Sequence, residues 1–593
     1  MRNKMIKKLI KGIFAGALAC CCLLTATNVE AKSGYIYDSN NKPIQSSVGF
    51  VLNTEGVYNI NSKVWKKNDK EFISASDIAM MTDLFVYQDK YPDDYNGLSP
   101  ETIYVVDGSS NYLITFDKNL NYIRKDKNFT LDIDQFDNNE LSKINTNVEV
   151  SSGGTTVWTT KKLEVATTDA STFYDKVQDA REGKGSKEQF TMTCKGLSCV
   201  YRSRKLVEVV NDKTGEKELD YRDVIYLCDK DQAQIVILDA ESYKVIEVIS
   251  APEKSDFEDK FAPLKMVTDT SGRMYVISEN VFEGIILMDS DGSFMRYVGV
   301  NYTTLTFWQA LTRNLKTEEQ LAQETQIIQT RFDNLTIDDD NFLYTVARPT
   351  TNPITELVDD TTMVKKINQT GKDILIRNGY ANPKGDLVTI LTGDNKGGSI
   401  FSGITVNEYG LYTVADSNMG RLFTYDSEGN LLYISAGKGA EQTDIKNPVA
   451  VRYQGDNVLV LDQGNFAVLR YELTDFAKSI NTATKYQFYG DTENAAKEWS
   501  NVIAINPNYQ LAYVGVGKTL HEEGRYQEAM SYFELGDNPA YYSRAYKKYR
   551  DEIIKKYFPY VLYGGVALVV ALLGYKIVKK AKRRNPDEEG EVI

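Results

Sequence analysis

Between residues 100 and 475 the apolar positions fall in runs of four or five, each closed by an aspartate or another small polar residue, and the runs come in pairs. Ile103-Tyr104-Val105-Val106-Asp107 precedes Leu113-Ile114-Thr115-Phe116-Asp117, and Ile225-Tyr226-Leu227-Cys228-Asp229 precedes Ile235-Val236-Ile237-Leu238-Asp239. Met274 to Ser278 precedes Ile285 to Asp289, Leu343 to Ala347 precedes Val364 to Asn368, Tyr412 to Asp416 precedes Leu422 to Asp426, and Val458 to Asp462 precedes Val468 to Glu472. Runs this short, bounded by turn formers, read as strands joined by hairpins. A further strand-like piece precedes each pair, such as Pro263 to Val267 or Pro448 to Val451, and another follows, such as Phe294 to Val298. The pattern predicts six four-stranded units.

Four-stranded units repeated radially are the blades of a β-propeller, which leaves only short sheet edges exposed. The fold expected is mainly β: a six-bladed propeller over residues 32–478, then a short helical segment and one membrane-crossing helix. Gly34-Tyr35-Ile36-Tyr37-Asp38 reads as an outer strand, expected to pair with the last blade and close the ring. Spacing is uneven, because Asp107 and Asp229 stand much farther apart than Asp416 and Asp462, which places an insertion at about residues 137–222. Inside it, Thr156-Val157-Trp158 is strand-like and Phe173 to Arg181 is helical. A second insertion covers residues 303–332, where Thr317-Glu318-Glu319-Gln320 forms a capping box ahead of Leu321, Ile327 and Ile328. Long insertions on a rigid scaffold either carry binding or simply cover the ring.

From about Asp491 the period changes to helical. Ala495, Trp499 and Pro507 are followed in one 34-residue register by Tyr513, Val516, Gly517, Leu520, Gly524, Tyr526, Ala529 and Phe533. Gly517 and Ala529 are small enough for two helices to approach, with Tyr513, Leu520 and Phe533 expected between them. The segment, residues 479–557, holds about one and a half units, so it is expected to dock on something else, preferably a protein partner.

The ends set the compartment. Arg2, Lys4, Lys7, Lys8 and Lys11 precede an apolar run from Ile13 to Leu24 and then Val29-Glu30-Ala31, the layout of a cleavable signal peptide over residues 1–31. Cys20, Cys21 and Cys22 leave lipidation as the minor alternative. Phe558 to Tyr575 contains no charge and is followed by Lys576, Lys579, Lys580, Lys582, Arg583 and Arg584. Residues 558–578 therefore read as a spanning helix, with residues 579–593 as a cytoplasmic tail and the large N-terminal region outside the cell membrane.

Between those ends lie 58 basic and 77 acidic residues, a balance of −19 that argues against nucleic-acid binding. Three cysteines remain there, too few for a disulfide scaffold; a Cys194–Cys199 bridge across the intervening turn is one option, while Cys228 reads as core. The single histidine, His521, lies in the helical segment, which weighs against histidine-dependent nucleophiles and imidazole-bound metals. Asp229, Glu279, Asp333, Asn334 and Asp416 are the carboxylates and amide in or beside blade strands, and each reads first as a residue that finishes a blade turn.

At the paired runs the chain resembles NHL-type propellers, whose blades combine a proline-led strand, an "IYVAD"-like strand and a strand ending near an aspartate. It is also similar to bacterial gluconolactonase-like NHL proteins that join propeller, helical repeat and anchor, and the helical register resembles a tetratricopeptide repeat (TPR). The resemblance implies a membrane-anchored binding or scaffold protein, accessory to a transporter, for instance of carbohydrate, or to an envelope complex. The helical segment would hold the transporter subunit or other membrane protein, and the propeller a glycan or small molecule. No cofactor is expected in that reading. The alternative it implies is a lactonase or glycan-acting enzyme with calcium or another divalent cation held by carboxylates at the ring centre.

Overall fold

Continuous apolar runs buried on both faces need a layer on each side, and a ring of blades supplies it. The computed structural model describes residues 34–59, 65–67, 70–73, 80–88, 101–143, 147–150, 156–159, 167–210, 217–252, 257, 259–299, 331–351, 358–359, 362–387, 397–439 and 444–584. The leader, Cys20 to Cys22, nearly all of the second insertion and the end of the tail lie outside them. The chain forms two compact units, residues 1–478 and 479–593.

The first unit is a six-bladed propeller. Its innermost strands are Met81–Tyr87, Leu197–Val210, Pro263–Thr268, Phe332–Ile337, Phe401–Val406 and Pro448–Gln454. Each packs on the next and the last packs on the first, closing the ring. Blades 1, 2, 3 and 5 are four-stranded antiparallel meanders, and blade 4 has three strands among the described residues. The second strand is buried throughout in blades 1, 3, 4 and 5, as in Thr102–Asp107, Met274–Ser278 and Tyr412–Asp416, while that of blade 2 is exposed at its start, at Leu219 and Tyr221. Tyr104, Tyr226, Tyr275 and Tyr344 occupy one equivalent position there, with Tyr412 one residue earlier in its strand, all at most 1% exposed. They fill the gaps between blades.

Ring closure uses a different segment from the one expected. Tyr35–Tyr37 pairs with Pro43–Gln45 in a separate hairpin, while Phe50–Asn59 is the fourth strand of blade 6, in register with Ala467–Leu473. The N-terminal strand does close the last blade, but from fifteen residues downstream of Tyr35. Both segments are short, apolar and aromatic, so pattern alone does not separate them.

The first insertion is also shorter than expected. Leu197–Val210 and Lys217–Asp229 are the first two strands of blade 2 itself, an extended hairpin. The insertion proper is a small sheet ordered Asn128–Thr130, Phe190–Thr193, Asn147–Val150, Thr156–Thr159, with helices α1 (Asn138–Lys143) and α2 (Thr167–Arg181). Asp137 and Glu140 form a reciprocal capping box at α1, each carboxylate accepting the other's backbone N–H. Phe129, Ile133, Phe173, Val177 and Met192 merge with the core of blades 1 and 2, so this insertion buttresses the ring.

The second unit is helical. Helix α3 (Asp475–Phe488) crosses from the first unit into it and is followed by α4 (Thr492–Ile505), α5 (Gln510–Glu522), α6 (Tyr526–Leu535) and α7 (Pro539–Arg584). Helical structure thus starts well before Asp491. Asp491 caps α4 by accepting the Asn494 N–H, and Gly524, at φ +79°, turns the chain between α5 and α6. Helix α7 is long and apolar enough to cross a membrane and is continuous with the helix preceding the span, despite Pro559 within it.

Candidate functional site

Antiparallel alternation sends the start of every inner strand, the loop after every second strand and every blade-to-blade connection to one rim. Among the described residues that rim carries the small sheet and helices α1 and α2 between Asn128 and Thr193, whereas inner hairpins on the opposite rim are as short as 269–273, 338–342, 407–411 and 455–456. Those short turns are held by Asp269, Asp338 and Asn407, each accepting N–H groups two and four residues on. Elaboration is therefore concentrated on one face, the usual place for ligand contacts.

At this rim the aspartates that closed the runs are all engaged. Asp107 accepts from the N–H groups of Met80, Ser109 and Ser110; Asp229 from Lys195, Gly196 and Gln232; Asp416 from Ile400 and Asn418; Asp462 from Lys446, Asn447 and Gly464. In blade 3, Ser278 does the same for Ala262. These residues pin each second strand to the connection entering its blade. Burial pushes the Asp229 and Asp416 carboxyls above their ordinary range, opposed by the amide donors around each. Both are structural latches, as the sequence reading preferred.

One step inward, each inner strand carries a β-bulge after its first residue. The residues just past the bulges are Asp83, Cys199, Lys265, Asn334, Gly403 and Ala450. Lys265 of blade 3 reaches past blade 2 to blade 1: its Nζ donates to Asp83 Oδ1 at 2.6 Å and to Thr82 O at 2.8 Å. Val200 N–H donates to Asp83 Oδ2 at 3.2 Å. With side chains 0% and 10% exposed, this pair is a buried chord across the ring. Asn334 donates from Nδ2 to Ser402 O at 3.0 Å, and its Oδ1 has no partner among the described residues. A Cβ on Gly403 would make a tight approach there, 3.1 Å from Val451 N. The sequence reading named Asn334 but missed Asp83 and Lys265, and the apolar run after Pro263 was the available signal for the latter.

The remaining named carboxylates are dispersed. Asp333 is clamped by Arg331 and Arg348 at 3.3 and 3.0 Å, and Glu279 lies 4.0 Å from Lys230 on the surface. Asp386 binds Tyr35, Tyr37 and Arg421, which ties the N-terminal hairpin to blade 5. Burial, then the bond to Asp386, pushes Tyr37 up to about 12. Among the described residues no three His, Cys, Asp or Glu side chains converge as metal ligands. Cys194, Cys199 and Cys228 are buried free thiols, and Cys199 stands opposite Cys228 across the strands rather than beside Cys194. The contemplated Cys194–Cys199 bridge is absent because Cys199 is already inside a strand of blade 2.

In the helical unit the register positions come together. A Cβ on Gly517 would lie 2.6 Å from the Phe533 ring, and one on Gly515 would lie 2.5 Å from Trp499. Ala495, Trp499, Leu520, Ala529 and Phe533 are buried. Tyr513 is half exposed and donates to Pro507 O at 3.0 Å, so Val514 and Val516 fill the space expected of it. Tyr526 packs edge-on against His521. Gln487 at the end of α3 donates to Gly515 O, and Phe533 stacks on Tyr541 of α7, so helices on both sides extend the one and a half units read from sequence.

No family model matches the chain. A stretch of 101 residues, 16% of the chain, is 31% identical to human tetratricopeptide repeat protein 6, of whose length the chain spans 19%. Among solved structures, virginiamycin B lyase from Staphylococcus aureus aligns over 72% of this chain and 100% of its own, at 8% identity and a TM-score of 0.32. Hydrazine synthase from Kuenenia stuttgartiensis aligns over 62% and 91%, at 8% identity and a TM-score of 0.31. Likenesses of this size carry no inference about activity.

Proposed function

We propose that the protein is a membrane-anchored binding scaffold of the NHL propeller type, with the elaborated rim for a glycan or small-molecule ligand and the TPR-like helices for a membrane-protein partner such as a transporter subunit. The observation that carries this reading is the chord across the ring. The place where a lactonase-type propeller would gather carboxylates around an ion is bridged by Asp83 and Lys265, a charge-compensated pair. The flanking aspartates are committed to backbone amides. The reading assigns no resident cofactor; calcium belongs to its enzymatic rival.

Helix α7 supplies the anchor. Its flanks carry equal numbers of basic residues, with Arg544, Lys547, Lys548, Arg550, Lys555 and Lys556 before the span and six Lys or Arg after it. Loop charge therefore does not set orientation, and the signal-like N-terminus carries the assignment of the propeller to the outer face. The work beside a carbohydrate transporter rests on resemblance to anchored NHL proteins.

Thermal unfolding of the full chain in detergent, with millimolar calcium or with chelator, tests the choice. Superimposable melts and no hydrolysis of lactones in either condition support the scaffold. A calcium-dependent rise in melting temperature with lactone hydrolysis would overturn it.

A further inference from the structure

Helix α7 leaves the helical unit as a free rod before it reaches its apolar stretch. Ala545 is its last buried residue, and from Arg550 onward every described residue is exposed. The first part of the helix inverts the charge of the protein, residues 541–557 holding six Lys or Arg against Asp551 and Glu552 whereas residues 32–557 as a whole carry −19; of those six cations, Arg550, Lys555 and Lys556 lie in the free stretch. It is interleaved with exposed apolar and aromatic side chains, Ile553, Ile554, Tyr557, Phe558 and Tyr560, between 38% and 73% exposed.

We propose that the collar from Arg550 to Tyr560 is a recognition surface for the anionic phospholipid headgroups of the bilayer that α7 enters. The proposal rests on the membrane-anchor reading. At 1.5 Å per residue, Lys555 and Lys556 lie within about 5 Å of the uncharged run beginning at Phe558, at headgroup depth, and their stems can lie along apolar surface while the ammonium groups reach phosphate. Lys547 and Lys548 lie about 15 Å away, beyond a Debye length of about 8 Å at physiological salt, and contribute little. Arg550 is drawn partly aside by Asp551, at 2.9 Å. Tyr557, Tyr560 and Tyr563 supply the aromatic belt of an interface. An acidic protein close to an acidic membrane is repelled by it; a cationic collar at the point of entry offsets that repulsion where the two must meet.

The test uses the full chain in mild detergent, carrying K576Q, K579Q, K580Q and K582Q so that the cations beyond the span do not contribute. Native mass spectrometry counts the lipids retained on titration with phosphatidylglycerol or with phosphatidylcholine of identical acyl chains. Preferential retention of phosphatidylglycerol is expected, falling about tenfold or more in K555Q/K556Q, since each cation at such a surface is worth about a fivefold change. An unchanged melting curve shows that the variant is folded. Equal retention of both lipids, a preference untouched by K555Q/K556Q, or its loss to equimolar inorganic phosphate overturns the proposal. Resistance of the protein to alkaline carbonate extraction is measured alongside: release from the membrane sinks the anchor reading itself, whereas an integral protein without lipid preference sinks only the collar.

Discussion

Asp83 and Lys265 are 182 residues apart in sequence and 2.6 Å apart in space, with almost no access to water. Asp83→Asn leaves a buried ammonium without its counter-charge and is expected to destabilise the protein by about 3–5 kcal/mol, read as a fall in the denaturation midpoint. The double change Asp83→Leu with Lys265→Met removes both charges and should recover most of that loss; a double variant as unstable as the single one would show that packing, not charge, dominates the chord. Asp462→Ala strips the acceptor from three N–H groups at the start of blade 6 and should cost about 2–4 kcal/mol, whereas Ala347, at the equivalent position of blade 4, shows that one blade does without it. In the helical unit Gly517→Val must displace the Phe533 ring and is expected to lower the melting temperature of that unit, with a cost of about 1–3 kcal/mol.

At the scale of elements, what the sequence displayed depended on whether the signal was local. The paired runs ending in Asp107, Asp229, Asp416 and Asp462 were legible because strand period, hairpin and latch all sit within about ten residues. The closing strand was not, because Tyr35 to Tyr37 and Phe50 to Leu52 look alike and only pairing with Ala467–Leu473 distinguishes them. The start of blade 2 was read as insertion because the long Asp107-to-Asp229 spacing alone placed it; in the fold, Arg202 bridges Asp223 and Tyr104 between blades. Asp229 and Asp416 finish blade turns as read from the sequence, whereas Glu279 and Asp333 pair with cations instead, and the Asp83–Lys265 chord lay beyond local pattern altogether. Replacing Val57 and Tyr58 by proline should open blade 6, since proline removes ladder donors, and would appear as early protease cleavage within residues 444–473.

At the scale of the whole molecule the interblade tyrosines govern behaviour in alkali. Burial pushes Tyr201 up to about 12, and Tyr104, Tyr226, Tyr344 and Tyr412 are raised by burial too. An unfolded chain releases these protons near pH 10 while the native propeller retains them. Over the interval from about pH 10 to about pH 12 the unfolded state binds fewer protons, so stability falls as pH rises; below pH 10 these groups contribute no slope. Solvent-exposed tyrosines titrate near about pH 10 in folded and unfolded chains alike, but the remaining tyrosinate absorbance should appear together with unfolding; complete titration near pH 10 without unfolding would contradict the packing described.

The division of labour between a ligand-bearing propeller and partner-bearing helices is tested most directly by cross-linking the tagged full-length protein in native membranes and identifying what co-purifies, beside variants carrying charge reversals on the exposed positions of α5 and α6, such as Glu522→Lys and Glu534→Lys. The account predicts membrane-transport or envelope subunits that are recovered with the native protein and lost with the helical variants, while the propeller remains folded. Recovery of the same partners from both, or of none from either, would contradict it.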